Sequence, residues 1–372
     1  MKNQILWAFL FLFPIQLLLT SCQGIKHTEP GFEQVFVWGN PHNEETARKF
    51  AEIGATDILV NNKKQYDLAL KYGMTPYWGR AFTPAGPHKQ VMNKEEEKYH
   101  SYINGYDLDR KKYSRKEISR IVKKRMMEKN HRFGGEAGNG VMDTLNTVSI
   151  ACFNSDKGYR LSRKKIDRIL KRALPGVKGI VMDYLGYTNH HGCYCKVCLQ
   201  EYKNHLRKNG LKDTKENKNI FYRDCLVNYY NAMIDHVKSK YPHFKVAVHI
   251  YPVFQPDPLY GNRIKADLCG QTVAWYFLWP LEKIARYTKI TVQEADKYFP
   301  HAAGIPFVGL NGAKGSALYS KTPQELEKEL QTILAAGGRS LMVCNGGDMI
   351  KPSYYEVFRK YSKNAKTFPE TK

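Results

Sequence analysis

Residues 35–62 read VFVWGNPHNEETARKFAEIGATDILVNN, and their periodicity decides the fold. A short β-rich run, VFVWGN (35–40), is followed by an amphipathic stretch through ETARKFAEIG and then by a second β-rich run, DILVNN (57–62). Strand, helix, strand is the unit of a parallel sheet, because parallel neighbours need a crossover and a helix supplies it. The unit recurs. A helix around QYDLALKYG leads to MTPYWGR (74–80), and further runs follow at GIVMDY (179–184), KVAVHIY (245–251), TVAWYF (272–277), PFVGLN (306–311) and SLMVCNGG (340–347). Together these fill an α/β fold of the (β/α)8 TIM barrel class. An open doubly wound sheet is the competing arrangement, and the even repeat with polar residues at the ends of the runs favours closure.

One further β-like run, NTVSIACFN (146–154), exceeds the count that a barrel needs and reads as a return strand inside a long excursion after the third strand. That excursion, 82–146, contains DRKKYSRKEISRIVKKRMMEKNHRF, in which Ile118, Ile121, Val122 and Met126 are spaced to share one helix face. A basic helical insertion after strand three is therefore expected, either as a solvated helix on the barrel rim or as a lid that meets an anionic substrate. The barrel is expected to occupy 33–366, with a polar tail at 367–372.

The chain opens MKNQILWAFLFLFPIQLLLTSC, an apolar core from Ile5 to Leu19 that is shorter than the ~20 residues of a spanning helix. Small residues then lead into Cys22, and Leu19-Thr20-Ser21-Cys22 resembles a lipobox. The expectation is a signal peptide over 1–21, lipidation of Cys22, a tether over 22–32 and a lipid-anchored protein of the cell envelope, at the outer membrane or cell surface. Cleavage there leaves about 350 residues, within the ~200 to over 400 that such barrels span. A formal charge of +23 suits an acidic polymer or anionic lipid, while no nucleic-acid recognition motif is present.

A TIM barrel gathers its active site at the carboxyl ends of its strands, so the informative residues are those where each apolar run stops. They are Trp38, Asn61, Trp78, Arg80, Asp183, Tyr184, His249, Trp275, Asn311 and Asp348, with Asn40, Asn62 and Asn345 beside them. This aromatic and amide-rich inventory suits carbohydrate, whose C–H faces stack on rings and whose hydroxyls bind amides and carboxylates. Asp183 is the carboxylate placed directly at a strand end, where it would act as nucleophile or stabilise an oxocarbenium-like transition state, or simply cap a loop. Glycoside hydrolysis needs a second carboxyl, and the candidates are Asp257, in YPVFQPDPLYGN, and Asp348, in NGGDM. His249 reads as a proton shuttle, a hydroxyl ligand or a hydrogen-bonded core residue.

Cys193, Cys195 and Cys198 in GCYCKVC, with His191 close by, match a tetrahedral Cys3His set for structural zinc. A disulfide and free thiols are the alternatives in an oxidising compartment. Cys152, Cys225, Cys269 and Cys344 read as core residues. No fingerprint for an organic cofactor is present.

The residues of GIVMDY and GCYCKVC carry a resemblance to exported barrel proteins of the glycoside hydrolase kind. In the alpha-amylase and alpha-galactosidase superfamilies the nucleophile is an Asp at the end of the fourth strand, the position of Asp183, and some barrel beta-galactosidases hold a cysteine-bound zinc in a loop over the barrel. The resemblance implies hydrolysis of a polysaccharide or oligosaccharide, with an anionic glycan as one candidate. The competing reading is a glycan-binding lipoprotein without catalysis.

Overall fold

A computed structural model describes residues 31–79, 82, 84–133, 150–187, 192–250, 263–275, 279–298, 303–311 and 320–368; some side chains within these spans, that of Tyr184 among them, are outside the description. From the amino end, the first part of the barrel is β1 (Gln34–Trp38), α1 (Glu44–Glu52), β2 (Asp57–Val60), α2 (Lys63–Lys71) and β3 (Thr75–Trp78). The insertion contributes α3 (Lys94–Asn104) and α4 (Arg115–Phe133), after which α5 (Asp156–Leu170) leads into β4 (Gly179–Leu185). Then come α6 (Lys196–Asn209), α7 (Lys215–Lys240), β5 (Lys245–Ile250), β6 (Leu268–Ala274), α8 (Leu281–Tyr298) and β7 (Ala303–Gly309). The chain finishes with α9 (Pro323–Ala335), β8 (Ser340–Cys344), α10 (Gly346–Met349) and α11 (Pro352–Tyr361).

All eight strands are parallel and neighbour one another in chain order, and the pairing of β1 with β8, from Gln34↔Ser340 to Trp38↔Cys344, closes the barrel. Closure explains the composition of the runs. Strands in such a barrel are covered on both faces, so β2 is buried at every position and β1 at its three central ones. The helices start where the sequence supplies caps. Asn43 and Thr46 form a capping box on α1, and Thr322 with Glu325 does the same on α9, where Pro323 stands in the first turn. Asn62, read from sequence as an amide at the barrel mouth, instead accepts a hydrogen bond from Gln65 N at 3.0 Å and caps α2.

The sixth strand begins four residues earlier than TVAWYF suggests. Leu268 pairs with Ala303 and the ladder runs to Ala274, because Gly270, Gln271 and Thr272 are buried strand positions despite their polar or small side chains. A Cβ at Gly270 would lie 2.5 Å from Met342 Sδ, so the closeness of the barrel interior excludes a side chain there. At the opposite end, Gly346 lets β8 turn across β1: a Cβ there would sit 2.3 Å from Val37 Cγ1. That turn carries Asp348 to the carboxyl side of the barrel.

Within the insertion, Ile118 and Val122 of α4 are half-buried and pack on the left-handed turn at Gly105 that ends α3. Arg125 fixes the pair of helices through Asp107 at 2.8 Å and by lying 3.9 Å over the Tyr102 ring. The described part of the return segment, 150–154, pairs with 88–90 by an antiparallel bridge at Lys89↔Ala151, outside the barrel. Phe153 from this segment enters an aromatic cluster with Tyr187 at 4.8 Å and Tyr229 at 4.9 Å. That anchor brings Cys152 beneath the loop that follows β4.

Candidate active site and a buried cysteine cluster

Asp183 is presented by an irregularity of β4. Met182 pairs with Val248, but the next pair is Leu185 with Ile250, so β4 uses one residue more than β5 across Asp183 and Tyr184. Such a bulge bends a strand and re-aims a side chain. The result is a carboxylate whose Oδ1 meets His249 Nδ1 at 2.8 Å and whose Oδ2 accepts from Trp38 Nε1 at 3.4 Å. Asp183 keeps 16% of its side chain exposed and His249 only 3%, so the carboxylate is reachable and the imidazole is not.

The imidazole is held on every described side. Its Nε2 stands 3.1 Å from Thr272 Oγ1, at the start of a second irregularity, between Thr272 and Ala274 of β6. Phe307 of β7 stacks on it at 3.8 Å, with Trp275 at 5.3 Å and Trp38 edge-on at 6.1 Å. Strands β1, β4, β5, β6 and β7 thus converge on one carboxylate–imidazole pair, with the aromatic rings packed around the imidazole. Thr272 and Phe307 were not among the residues singled out from sequence.

Trp78 and Asn61 lie at the ends of β3 and β2. Trp78 Nε1 and Asn61 Oδ1 are buried polar atoms without a hydrogen-bond partner among the described residues. Leaving such atoms unmatched costs on the order of 1–3 kcal/mol each, so they are groups a bound hydroxyl would satisfy. Asn311 Oδ1 accepts from Ser320 Oγ, and the Asn311 carbonyl accepts from Asn345 Nδ2 at 3.1 Å, which joins the loops after β7 and β8. Asp348, on α10, is ion-paired with Lys351 at the start of α11. Arg80, Asp257, His191 and Cys22 lie outside the described residues, as does the side chain of Tyr184.

The cysteine cluster gains a member that reads from sequence as a core residue. Cys193, Cys195 and Cys198 are joined by Cys152, all four sulfurs lying within 4.8 Å of one another and all four residues buried. Cys152 is therefore more than a core residue, and the return segment supplies a fourth thiol; His191, the fourth donor expected from sequence, lies outside the described residues. Cys152 Sγ is 3.3 Å from Cys198 Sγ and 3.7 Å from Cys195 Sγ, and all are free thiols. A zinc tetrahedron with bonds of ~2.3 Å has sulfur–sulfur edges of about 3.8 Å, so the set fits that ion. Hydrogen bonding from Cys152 and then Cys198 holds the Cys193 thiol far below its ordinary range, to about 2. The amide of Asn154 donates to Cys198 Sγ at 3.4 Å and Val91 N donates to Cys193 Sγ at 3.4 Å, the kind of outer support that thiolate ligands receive. A structural metal ion is compatible with this donor set.

No family model matches the chain, and no curated protein matches its sequence. The chain is similar in fold to the PgaB (BpsB) glycoside hydrolase domain from Bordetella bronchiseptica, at 11% identity and a TM-score of 0.51, with 90% of this chain and 99% of that one covered. This is a fold that glycoside hydrolases use. Beta-galactosidase from Bacillus circulans sp. alkalophilus is similar at 11% identity over 86% of this chain and 51% of that one, with a TM-score of 0.44; the chain spans about half its length. Bee venom hyaluronidase is similar at 12% identity over 58% of this chain and 79% of that one, with a TM-score of 0.35. At such identities the likeness is one of fold.

Proposed function

We propose that this barrel hydrolyses glycosidic bonds in a polysaccharide or oligosaccharide, with Asp183 as a catalytic carboxylate. The observation that carries the reading is the placement of Asp183: half-buried at the carboxyl end of β4 and bonded to Trp38 and to His249, whose imidazole packs against Trp275 and Phe307. A partly exposed carboxylate at the carboxyl end of a barrel strand suits a sugar whose bridging oxygen meets a carboxyl. Trp78 Nε1 and Asn61 Oδ1 offer hydrogen bonds to hydroxyls. The second carboxyl comes from Asp348 or from Asp257.

An anionic glycan fits the charge of +23, with Arg80 and the basic α4 as the groups that meet it. Zinc held by Cys152, Cys193, Cys195 and Cys198 would tie the return segment to the loop after β4, supplying a closed structural ligand set. Lipidation at Cys22 would hold the barrel at the cell envelope, and Cys22→Ser should abolish incorporation of labelled palmitate. Reducing-end release from a panel of neutral and uronic-acid glycans tests the main reading. Binding of a glycan that the wild-type chain never cleaves would make the barrel a non-catalytic receptor.

A further inference from the structure

Thr272 fixes where the protons of the Asp183–His249 pair lie. Its hydroxyl donates to the Ile250 carbonyl at 2.8 Å, and a hydroxyl has one proton to give. The same oxygen stands 3.1 Å from His249 Nε2. With the hydroxyl proton on the Ile250 carbonyl, this contact is a hydrogen bond only if Nε2 carries a proton of its own. Nδ1 meanwhile faces Asp183 Oδ1 at 2.8 Å. A bare Nδ1 against an ionised carboxylate would set two lone pairs against each other at hydrogen-bond distance, so a second proton is needed between them.

We infer that His249 is held as a doubly protonated imidazolium, paired with an ionised Asp183, so that the pair stores one proton beside the sugar site. Three observations support this placement. Trp38 Nε1 donates to the other carboxylate oxygen, so that oxygen acts as an acceptor and carries no proton toward the indole. The imidazole ring stacks on Phe307 at 3.8 Å and lies 5.3 Å from Trp275, and aromatic faces attract a cation. Burial opposes a lone charge, and the adjoining carboxylate offsets that cost. Tyr230 also feels the Asp183 carboxylate, and burial first, then Tyr229 and Asp183, pushes its phenol up, so it adds no charge of its own.

The consequence rests on the hydrolytic reading of Asp183. As the bond between the anomeric carbon and the bridging oxygen breaks, the Nδ1 proton of His249 passes to Asp183, and Asp183 hands a proton on to that oxygen. The pair is left as carboxylate and neutral imidazole. Water then adds its oxygen to the anomeric carbon, and its spare proton reloads the pair, so one water is consumed and no other co-reactant is needed. His249 is a positioning residue, buried behind Asp183, that keeps the acid loaded.

Nitrogen NMR on the full chain labelled with ¹⁵N-histidine reads this directly. The His249 signals are those lost in His249→Gln or, should that variant not fold, those with through-space contacts to the Phe307 ring. Protons on both ring nitrogens at pH 7 are expected, and a bare Nε2 or a bare Nδ1 overturns the inference. In the same preparation His249→Gln should lower kcat at least ~100-fold with KM little changed, and an unchanged kcat also overturns it. The two readings fail separately. A bare nitrogen in an active hydrolase removes the stored proton alone, whereas a doubly protonated His249 in a chain that cleaves no glycan leaves the pair standing and removes the hydrolytic function.

Discussion

The imidazole of His249 lies flat against the ring of Phe307, with centroids 3.8 Å apart and planes inclined by 15°. That contact, made by β7 on a residue of β5, sets the tilt of the group that meets Asp183. Phe307→Ala would open a cavity in a fully buried position and should destabilise the fold by about 3–5 kcal/mol. Phe307→Leu should cost less while still loosening the imidazole. Urea unfolding checks the stability, and the hydrolysis rate of the Leu variant checks the positioning.

Cys152 joins Cys193, Cys195 and Cys198 in the thiol cluster. The wild-type chain should hold about one zinc ion, as a closed structural site does. Cys152→Ser should lose it and melt earlier, whereas His191→Ala should keep it. Native mass spectrometry of the three proteins, before and after a chelator, measures this.

Lys321 and Glu329 form a fully enclosed ion pair at 2.6 Å. Burial pushes the lysine down and the glutamate up, which marks the cost of taking both from water. Lys321→Met should therefore destabilise by about 3–5 kcal/mol, since it strands Glu329. The double variant Lys321→Met with Glu329→Leu should recover most of that loss. Denaturant midpoints of the two variants decide between an isolated charge and a packing defect.

Lys283, at the start of α8, lies 3.9 Å over the ring of Trp279, and burial, then Arg286, push it down to about 8. The unfolded chain binds this proton more tightly than the folded one. Its contribution to stability is fully present above the ordinary lysine value of 10.5 and is lost as pH falls through about 8. Stability should thus rise between pH 8 and 10.5 more steeply in the wild type than in Lys283→Met, as urea midpoints across that range would show.

The barrel was legible because each crossover repeats the same switch of periodicity, and because Asp183, His249 and the tryptophans stand where apolar runs stop. Other parts left no such mark. Phe307 sits inside an apolar run, where an aromatic that packs on a functional side chain looks like any core residue. Thr272 opens the run read as TVAWYF, whereas the residues singled out were those where runs stop; Gly270 and Gln271 before it, small and polar, hid the strand's earlier start. Cys152 is far from Cys193 in the chain and is held near it by the bridge to 88–90 and the aromatic anchor of Phe153, contacts with no periodic signal.

The central claim is that Asp183 cleaves glycosidic bonds, and reducing-end release by the wild-type chain and Asp183→Asn tests it most directly. The wild type should release ends from at least one glycan of a broad neutral and anionic panel. Asp183→Asn, with an unchanged melting profile, should be slower by ~10²–10⁴-fold, the range that removal of a catalytic acid or base commonly gives. Equal rates in the two proteins, or no release by either while glycan binding persists, would contradict it.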